Sequence, residues 1–309
     1  MDANLKIAFL EDVNLTSTQK ARLSEIGQID YFNLSHDDLK IASQIAPNYD
    51  IVAVNWIDPS SFIMQMKPNS LIALMYTGYG YIQNISEAKT KGVSVANLTN
   101  YSTEAVAEHL LGLLIGITKR IFPEIANSGE KIMGFELKNK TVGIIGLGNI
   151  GMRFAEMMNF FGAKVITTNR HNKNSSLALD VSLSECLRSS DILCVSCSLN
   201  DDSKGLINLD NVDEIKKGAI LISCDWYVFD APALAKALET EIISFAGIDA
   251  NIDLSREIKL DDRLQKYRNK TLFLTQWNAY NTQETEANQM EMLCNNIISF
   301  AKGFPINIV

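Results

Sequence analysis

The sequence predicts an α/β protein of two parallel-sheet domains, one of them doubly wound and inserted into the other. Three observations carry this. Short apolar runs alternate with helical stretches through nearly all of the chain's 309 residues, a length suited to two domains. A glycine-rich loop, Gly146-Leu147-Gly148-Asn149-Ile150-Gly151, lies in mid-chain rather than at its start. Two long helical segments, over 102–121 and 284–302, bracket the part that contains it.

The elements follow in order. Residues 5–10 predict a strand and 16–26 contain a helix; 51–55 and 71–76 are strands, 85–91 is helical and 93–98 is a strand. The amphipathic helix over 102–121 opens with Ser102 and Thr103 as caps and Glu104 in its first turn. A second series begins with the strand 141–145, feeding the glycine loop, and continues with strands at 164–168, 192–197, 219–223, 243–248 and 272–275. The closing helix covers 284–302. The expected domains are 1–100 with 284–309, and 101–283, with a cleft between them.

Composition excludes several function classes. A net charge of −8 and a pI of about 5.0 give no basic face for nucleic acid or an anionic membrane. The longest apolar stretch, 110–117, is too short to span a bilayer. Asp2, Lys6, Glu11 and Asp12 make a secretory leader unexpected, and the odd count of five cysteines argues against a disulfide framework, so a cytoplasmic setting is expected. Cys194 and Cys197 form a C-x-x-C pair, but inside an apolar strand they read as packed thiols rather than a redox or metal motif.

The glycine loop has the context that gives G-x-G-x-x-G its meaning, an apolar strand before it and a helix after it. Gly146 permits the tight turn, Gly148 lets backbone approach a pyrophosphate, and Gly151 permits close helix–strand packing. The free N–H groups at the helix start, at Asn149 and Ile150, suit an anion. This is the fingerprint of a Rossmann domain for a nicotinamide dinucleotide. Where the next strand ends, Asp or Glu would select NAD, and Asn169 stands there instead, followed by Arg170, His171 and Lys173. Asn169 does not repel a 2′-phosphate and Arg170 can grip one bidentately, so NADP(H) is the expected cofactor, with NAD(H) possible.

The chain resembles the D-2-hydroxyacid dehydrogenases, a group with glyoxylate/hydroxypyruvate reductases and phosphoglycerate dehydrogenases. The stretches that carry the resemblance are Tyr101-Ser102-Thr103-Glu104-Ala105-Val106-Ala107-Glu108-His109, Thr141-Val142-Gly143-Ile144-Ile145-Gly146-Leu147-Gly148, Lys204-Gly205-Leu206-Ile207-Asn208 and Gly218-Ala219-Ile220-Leu221-Ile222. It implies a Rossmann doubly wound parallel sheet inserted into a flavodoxin-like substrate domain, a small-molecule substrate and a homodimer. It also implies that Asp249 contacts the nicotinamide carboxamide. Backbone N–H groups of the loop Thr77-Gly78-Tyr79-Gly80-Tyr81 would hold the substrate, making Gly78, Tyr79 and Gly80 the expected substrate-binding residues.

The same resemblance shows where this chain departs. The family's Arg follows the strand 219–222; here Ser223-Cys224-Asp225-Trp226-Tyr227-Val228-Phe229-Asp230 holds no Arg, and Asp225 or Trp226 takes its neighbourhood. The family's Glu position, five beyond Asp249, is Leu254, with Asp253 one residue away. The family's His follows Leu-Thr-Pro, and here Leu274-Thr275-Gln276 leads to Trp277. None of the three histidines, His36, His109 and His171, is near in sequence. Losing a general acid costs about 10²–10⁴ in rate, so ordinary keto-acid reduction is expected to be crippled.

The sequence therefore reads as a divergent NAD(P)-dependent oxidoreductase for a bulky or cyclic carbonyl or hydroxy substrate. Tyr79, Tyr227 and Tyr280 are its candidate proton donors, Asp225 and Asp253 its candidate bases, and Trp226 and Trp277 its aromatic walls. The alternatives are a non-catalytic dinucleotide sensor or scaffold, and a non-redox enzyme with a tightly held cofactor.

Overall fold

The computed structural model describes residues 5–122, 133–171, 174–198, 200, 202–250 and 260–309. The chain divides into two compact units, 1–102 with 282–309, and 103–281. Asp253, Leu254 and Lys173 lie outside the described residues.

In the first unit, strands β1 (Leu5–Phe9), β2 (Gly27–Tyr31), β3 (Ile51–Val54), β4 (Ser70–Leu74) and β5 (Val93–Ala96) form one parallel sheet in the order β2-β1-β3-β4-β5. That is the flavodoxin-like order. Strands β3 and β4 are buried throughout, which is why they read as unbroken apolar runs. Helices α1 (Ser17–Ser24), α2 (Leu39–Ile45) and α3 (Ile85–Thr90) connect strands. A Thr16–Gln19 capping box starts α1. Two apolar clusters fill the unit, one around Phe62, Val52 and Ile72, the other around Phe9, Leu71, Leu293 and Ile297.

The second unit begins with α4 (Thr103–Thr118). Its strands are β6 (Thr141–Ile145), β7 (Lys164–Thr168), β8 (Leu179–Asp180), β9 (Ile192–Val195), β10 (Ala219–Ser223), β11 (Ile243–Asp249) and β12 (Leu272–Thr275). All pair in parallel, in the order β12-β11-β10-β9-β6-β7-β8. Counted from β6, this is the doubly wound Rossmann order, and its switch point falls between β6 and β9. The helices are α5 (Asn149–Phe160), α6 (Leu183–Ser189), α7 (Ala231–Glu239) and α8 (Asp262–Gln265); α9 (Gln283–Ala301) returns to the first unit.

Most elements fall where the periodicity placed them, with shorter ends. The strand expected over 192–197 stops at Val195, so Cys197 lies beyond it, while Cys194 is buried and both thiols are free. The helix expected over 102–121 stops at Thr118. Strand β2 was not expected: as an edge strand of sequence Gly-Gln-Ile-Asp-Tyr it lacks a buried apolar run. No helix among the described residues is long and apolar enough to cross a membrane.

Candidate functional site

The carboxyl ends of the parallel strands in the second unit gather the candidate residues, the edge at which such sheets bind ligands. At the switch point the glycine loop is built by steric exclusion. Gly146 has φ +95°, and a Cβ on it would stand 2.5 Å from Cβ of Cys197. A Cβ on Gly151 would stand 2.4 Å from the Gly146 carbonyl oxygen. Ser196 Oγ donates to that same oxygen at 2.8 Å, tying the loop after β9 to the loop after β6. Gly148, which caps α5, differs: a Cβ there meets nothing within 4 Å. Two glycines are thus demanded by the protein's own packing, while the third faces space that a side chain would fill. The residues present fit a dinucleotide pyrophosphate at the α5 N-terminus, beside Asn149 and Ile150.

Asn169 follows β7, and its Oδ1 accepts the Leu147 N–H at 2.6 Å, so this side chain braces the glycine loop. Arg170 is mostly exposed; it is ion-paired to Asp202 and bonded to Asn200 Oδ1 at 3.1 Å. His171 is exposed beside it.

Further along the edge, Asp225 lies two residues past Ser223, the last residue of β10. Its Oδ1 accepts the Tyr227 N–H at 2.7 Å. Burial raises its pKa, against the lowering effect of the backbone N–H groups of Tyr227 and Val228. Its field reaches two thiols. Burial first and Asp225 second push Cys197 to about 11 and Cys224 to about 12. Trp226 packs partly buried against the core and Tyr227 is exposed.

Asp249 ends β11 and is 2% exposed. Its carboxylate accepts from the Thr275 hydroxyl at 2.6 Å, the Asn278 N–H at 3.0 Å and the Ala279 N–H at 3.0 Å. A carboxylate offers about four acceptor positions, and these bonds occupy three. Between the anchors, Trp277 sits at φ +51° with 42% of its surface exposed. A bulky side chain in the left-handed region is strained. Tyr280 is half-buried against the core, and burial, then Asp249, raises its pKa.

The fold also brings in a histidine that the sequence reading left out of the site. A Cβ on Gly247 would meet Ile117 and Leu113 of α4 at 3.1 and 3.3 Å, so this glycine lets the helix lie close on β11. One helical turn back along the same face is His109, and two strand residues on is Asp249. Four helical residues rise about 6 Å and two strand residues about 6.6 Å, so the two advance in step. His109 Nε2 accordingly stands 2.8 Å from Thr275 Oγ1 and 3.8 Å from Asp249 Oδ1. The Thr275 hydroxyl spends its one proton on the carboxylate, so Nε2 carries a proton and donates it to Thr275. Burial lowers the His109 pKa and Asp249 opposes this. As expected, no histidine comes from nearby sequence: 166 residues separate His109 from Thr275, and the packing of α4 on β11 joins them.

In the first unit the loop after β4 is held by its backbone. Asn97 donates to the Thr77 carbonyl at 2.7 Å and Gln289 to that of Met75 at 2.6 Å. Gly78 faces open space, Gly80 follows in the turn, and Tyr79 and Tyr81 are exposed, the latter stacked on Tyr76. The sequence reading missed Glu11 and Trp56. The buried Glu11 carboxylate accepts N–H groups of Asn55, Trp56 and Ile57 at 2.5, 2.8 and 3.2 Å, shaping a loop on which Trp56 is 47% exposed. Glu11 stands beside Asp12 just after the apolar run of β1, and nothing in that pattern marks it as the one that turns inward.

Comparison with known proteins agrees with this architecture. The profile of the D-isomer specific 2-hydroxyacid dehydrogenase NAD binding domain matches residues 116–274. A hydroxypyruvate reductase of Blautia hydrogenotrophica is 26% identical over 306 residues, covering 93% of each chain. A glyoxylate reductase of Aeropyrum pernix is 31% identical over 258 residues, covering 77% of this chain and 76% of its own. Among solved structures, an acyclic imino acid reductase in complex with NADPH and D-Arg superposes with a TM-score of 0.85 at 27% identity, covering 99% of this chain and all of its own. With its Rossmann unit, its nicotinamide-dinucleotide loop and these relatives, the chain belongs to the D-isomer specific 2-hydroxyacid dehydrogenase family.

Proposed function

We propose that the protein is an NADP(H)-dependent oxidoreductase whose substrate site is rebuilt for a bulky or cyclic carbonyl or hydroxy compound. The observation that carries this is Trp277, a strained and exposed indole at the position where the family resemblance places the acid–base histidine. Trp226, Tyr227 and Tyr280 add aromatic surface in the same unit, suited to flat or apolar groups.

The dinucleotide would be held by the N–H groups around Gly148, Asn149 and Ile150, with Asn169, Arg170 and His171 toward its adenosine end and Asp249 toward its carboxamide. It supplies the hydride of the redox step when bound. The chain's residues supply binding, orientation and exclusion of water. Gly78, Tyr79 and Gly80 are the proposed substrate-loop contacts, and Tyr79, Tyr227 and Tyr280 the proposed proton donors. The likeness to an imino acid reductase bound to NADPH supports both the phosphate-bearing cofactor and a substrate outside the small keto acids. A cytoplasmic homodimer is the proposed state.

The test is fluorescence titration with NADPH and NADH, followed by absorbance assays of NADPH oxidation against bulky carbonyl compounds. Tight NADPH binding with turnover is expected. Binding without any turnover would instead favour a dinucleotide sensor.

A further inference from the structure

The end of β10 carries one carboxylate, that of Asp225. Asp225 is partly buried, and the groups that hold its carboxylate, the N–H of Tyr227 and that of Val228, are neutral. Ser223 pairs with Val195 of β9 and with Ile248 of β11, so Asp225 lies on the same rim as the glycine-loop strap at Ser196 and the buried Asp249. Two strand spacings, about 10 Å, separate β10 from β6. The thiols between them, Cys197 and Cys224, stay neutral. His109 is committed to Thr275 and Asp249. A carboxylate substrate entering this edge meets like charge, whereas a cation meets a counter-charge.

Resting on the oxidoreductase reading above, we propose that Asp225 is the specificity residue for a cationic substrate group, and that the substrate class is a protonated imine and its amine product. The chemistry fits a site without the family's acid. Reduction of a carbonyl carbon leaves an alkoxide that must take a proton from a donor. A protonated imine, C=N–H⁺, accepts a hydride at carbon, the π electrons become the nitrogen lone pair, and the product is a neutral amine. The nitrogen keeps the proton it arrived with, so no side chain needs to supply one. Asp225 then has one task, holding the charged nitrogen by a charge-assisted hydrogen bond.

The experiment uses the full-length protein saturated with NADP⁺ and titrates three ring-matched probes by tryptophan fluorescence at pH 7: pyrrolidine, cationic; tetrahydrofuran, neutral; and cyclopentanecarboxylate, anionic. Pyrrolidine is expected to bind about tenfold or more tightly than the neutral ring. Asp225→Asn, which keeps the oxygen that accepts the Tyr227 N–H, removes that preference, Asp225→Glu restores part of it, and neither shifts the NADP⁺ affinity. Reduction of 1-pyrroline is then compared with that of cyclopentanone using NADPH. An unchanged pyrrolidine affinity in Asp225→Asn, or tighter binding of the carboxylate, overturns the assignment. Reduction of cyclopentanone in preference to 1-pyrroline overturns the imine class and leaves the oxidoreductase reading standing. Reduction of neither ring, nor of any bulky carbonyl compound, overturns both.

Discussion

Asp249 and Trp277 are joined through the backbone: the buried carboxylate accepts the N–H groups of Asn278 and Ala279, both at 3.0 Å, and so fixes the turn in which Trp277 takes φ +51°. The buried aspartate of the dinucleotide unit thereby presents the exposed Trp277 indole.

That turn should carry measurable strain. A non-glycine residue in the left-handed region costs about 1–2 kcal/mol, and a β-branched side chain tolerates it worst. Trp277→Gly is therefore expected to be more stable than Trp277→Val by about 1–2 kcal/mol in urea denaturation. Equal stabilities would mean that the turn relaxes without Asp249.

His109 gives the second unit a pH response. Its pKa is lowered by burial, so the unfolded chain binds the proton more readily than the folded one. In the window from about 6.5 down to the lowered value, the unfolded state holds more protons and stability falls with acid. Denaturation midpoints measured at pH 7.5 and 5.5 should differ, and His109→Gln should shrink the difference. A His109→Gln variant with the full acid loss would assign the response to other groups.

The glycine loop separates folding from binding. Gly151→Ala puts a Cβ 2.4 Å from the Gly146 carbonyl oxygen and should destabilise the protein by about 1–3 kcal/mol. A Cβ at Gly148 meets no protein atom within 4 Å, so Gly148→Val should fold normally while losing both dinucleotides. Thermal melts with and without NADPH distinguish the two, and a Gly148→Val protein still stabilised by NADPH would contradict the assignment.

Much of this was legible in the sequence, for physical reasons. Parallel strands buried on both faces, such as β3 and β10, are unbroken apolar runs, and the three loop glycines announce themselves by spacing. Edge strands are not legible in that way, so β2 and the two-residue β8 escaped notice. Nor could sequence show that His109 reaches Thr275, because that contact depends on how closely α4 lies over Gly247. The left-handed backbone of Trp277 was equally hidden, since a tryptophan is the wrong residue for it by local preference.

Cofactor choice should turn on Arg170 and its partner. The Arg170–Asp202 pair is solvent-exposed, and such pairs are worth about 0.2–1 kcal/mol, so a 2′-phosphate can replace the carboxylate. Arg170→Ala should weaken NADPH binding about tenfold and leave NADH unchanged, whereas Asp202→Asn should strengthen NADPH. Calorimetric titration of both variants checks this; an Arg170→Ala protein with unaltered NADPH affinity would contradict it.

The most direct test of the proposal that a dinucleotide-binding unit serves a rebuilt substrate site is NADPH oxidation measured side by side on glyoxylate, pyruvate and hydroxypyruvate and on a panel of cyclic and aromatic carbonyl compounds and imines. The account predicts turnover within the bulky panel and rates on the three small keto acids lower by about 10² or more than ordinary enzymes reach. Turnover of any of the three near about 10 per second would contradict it.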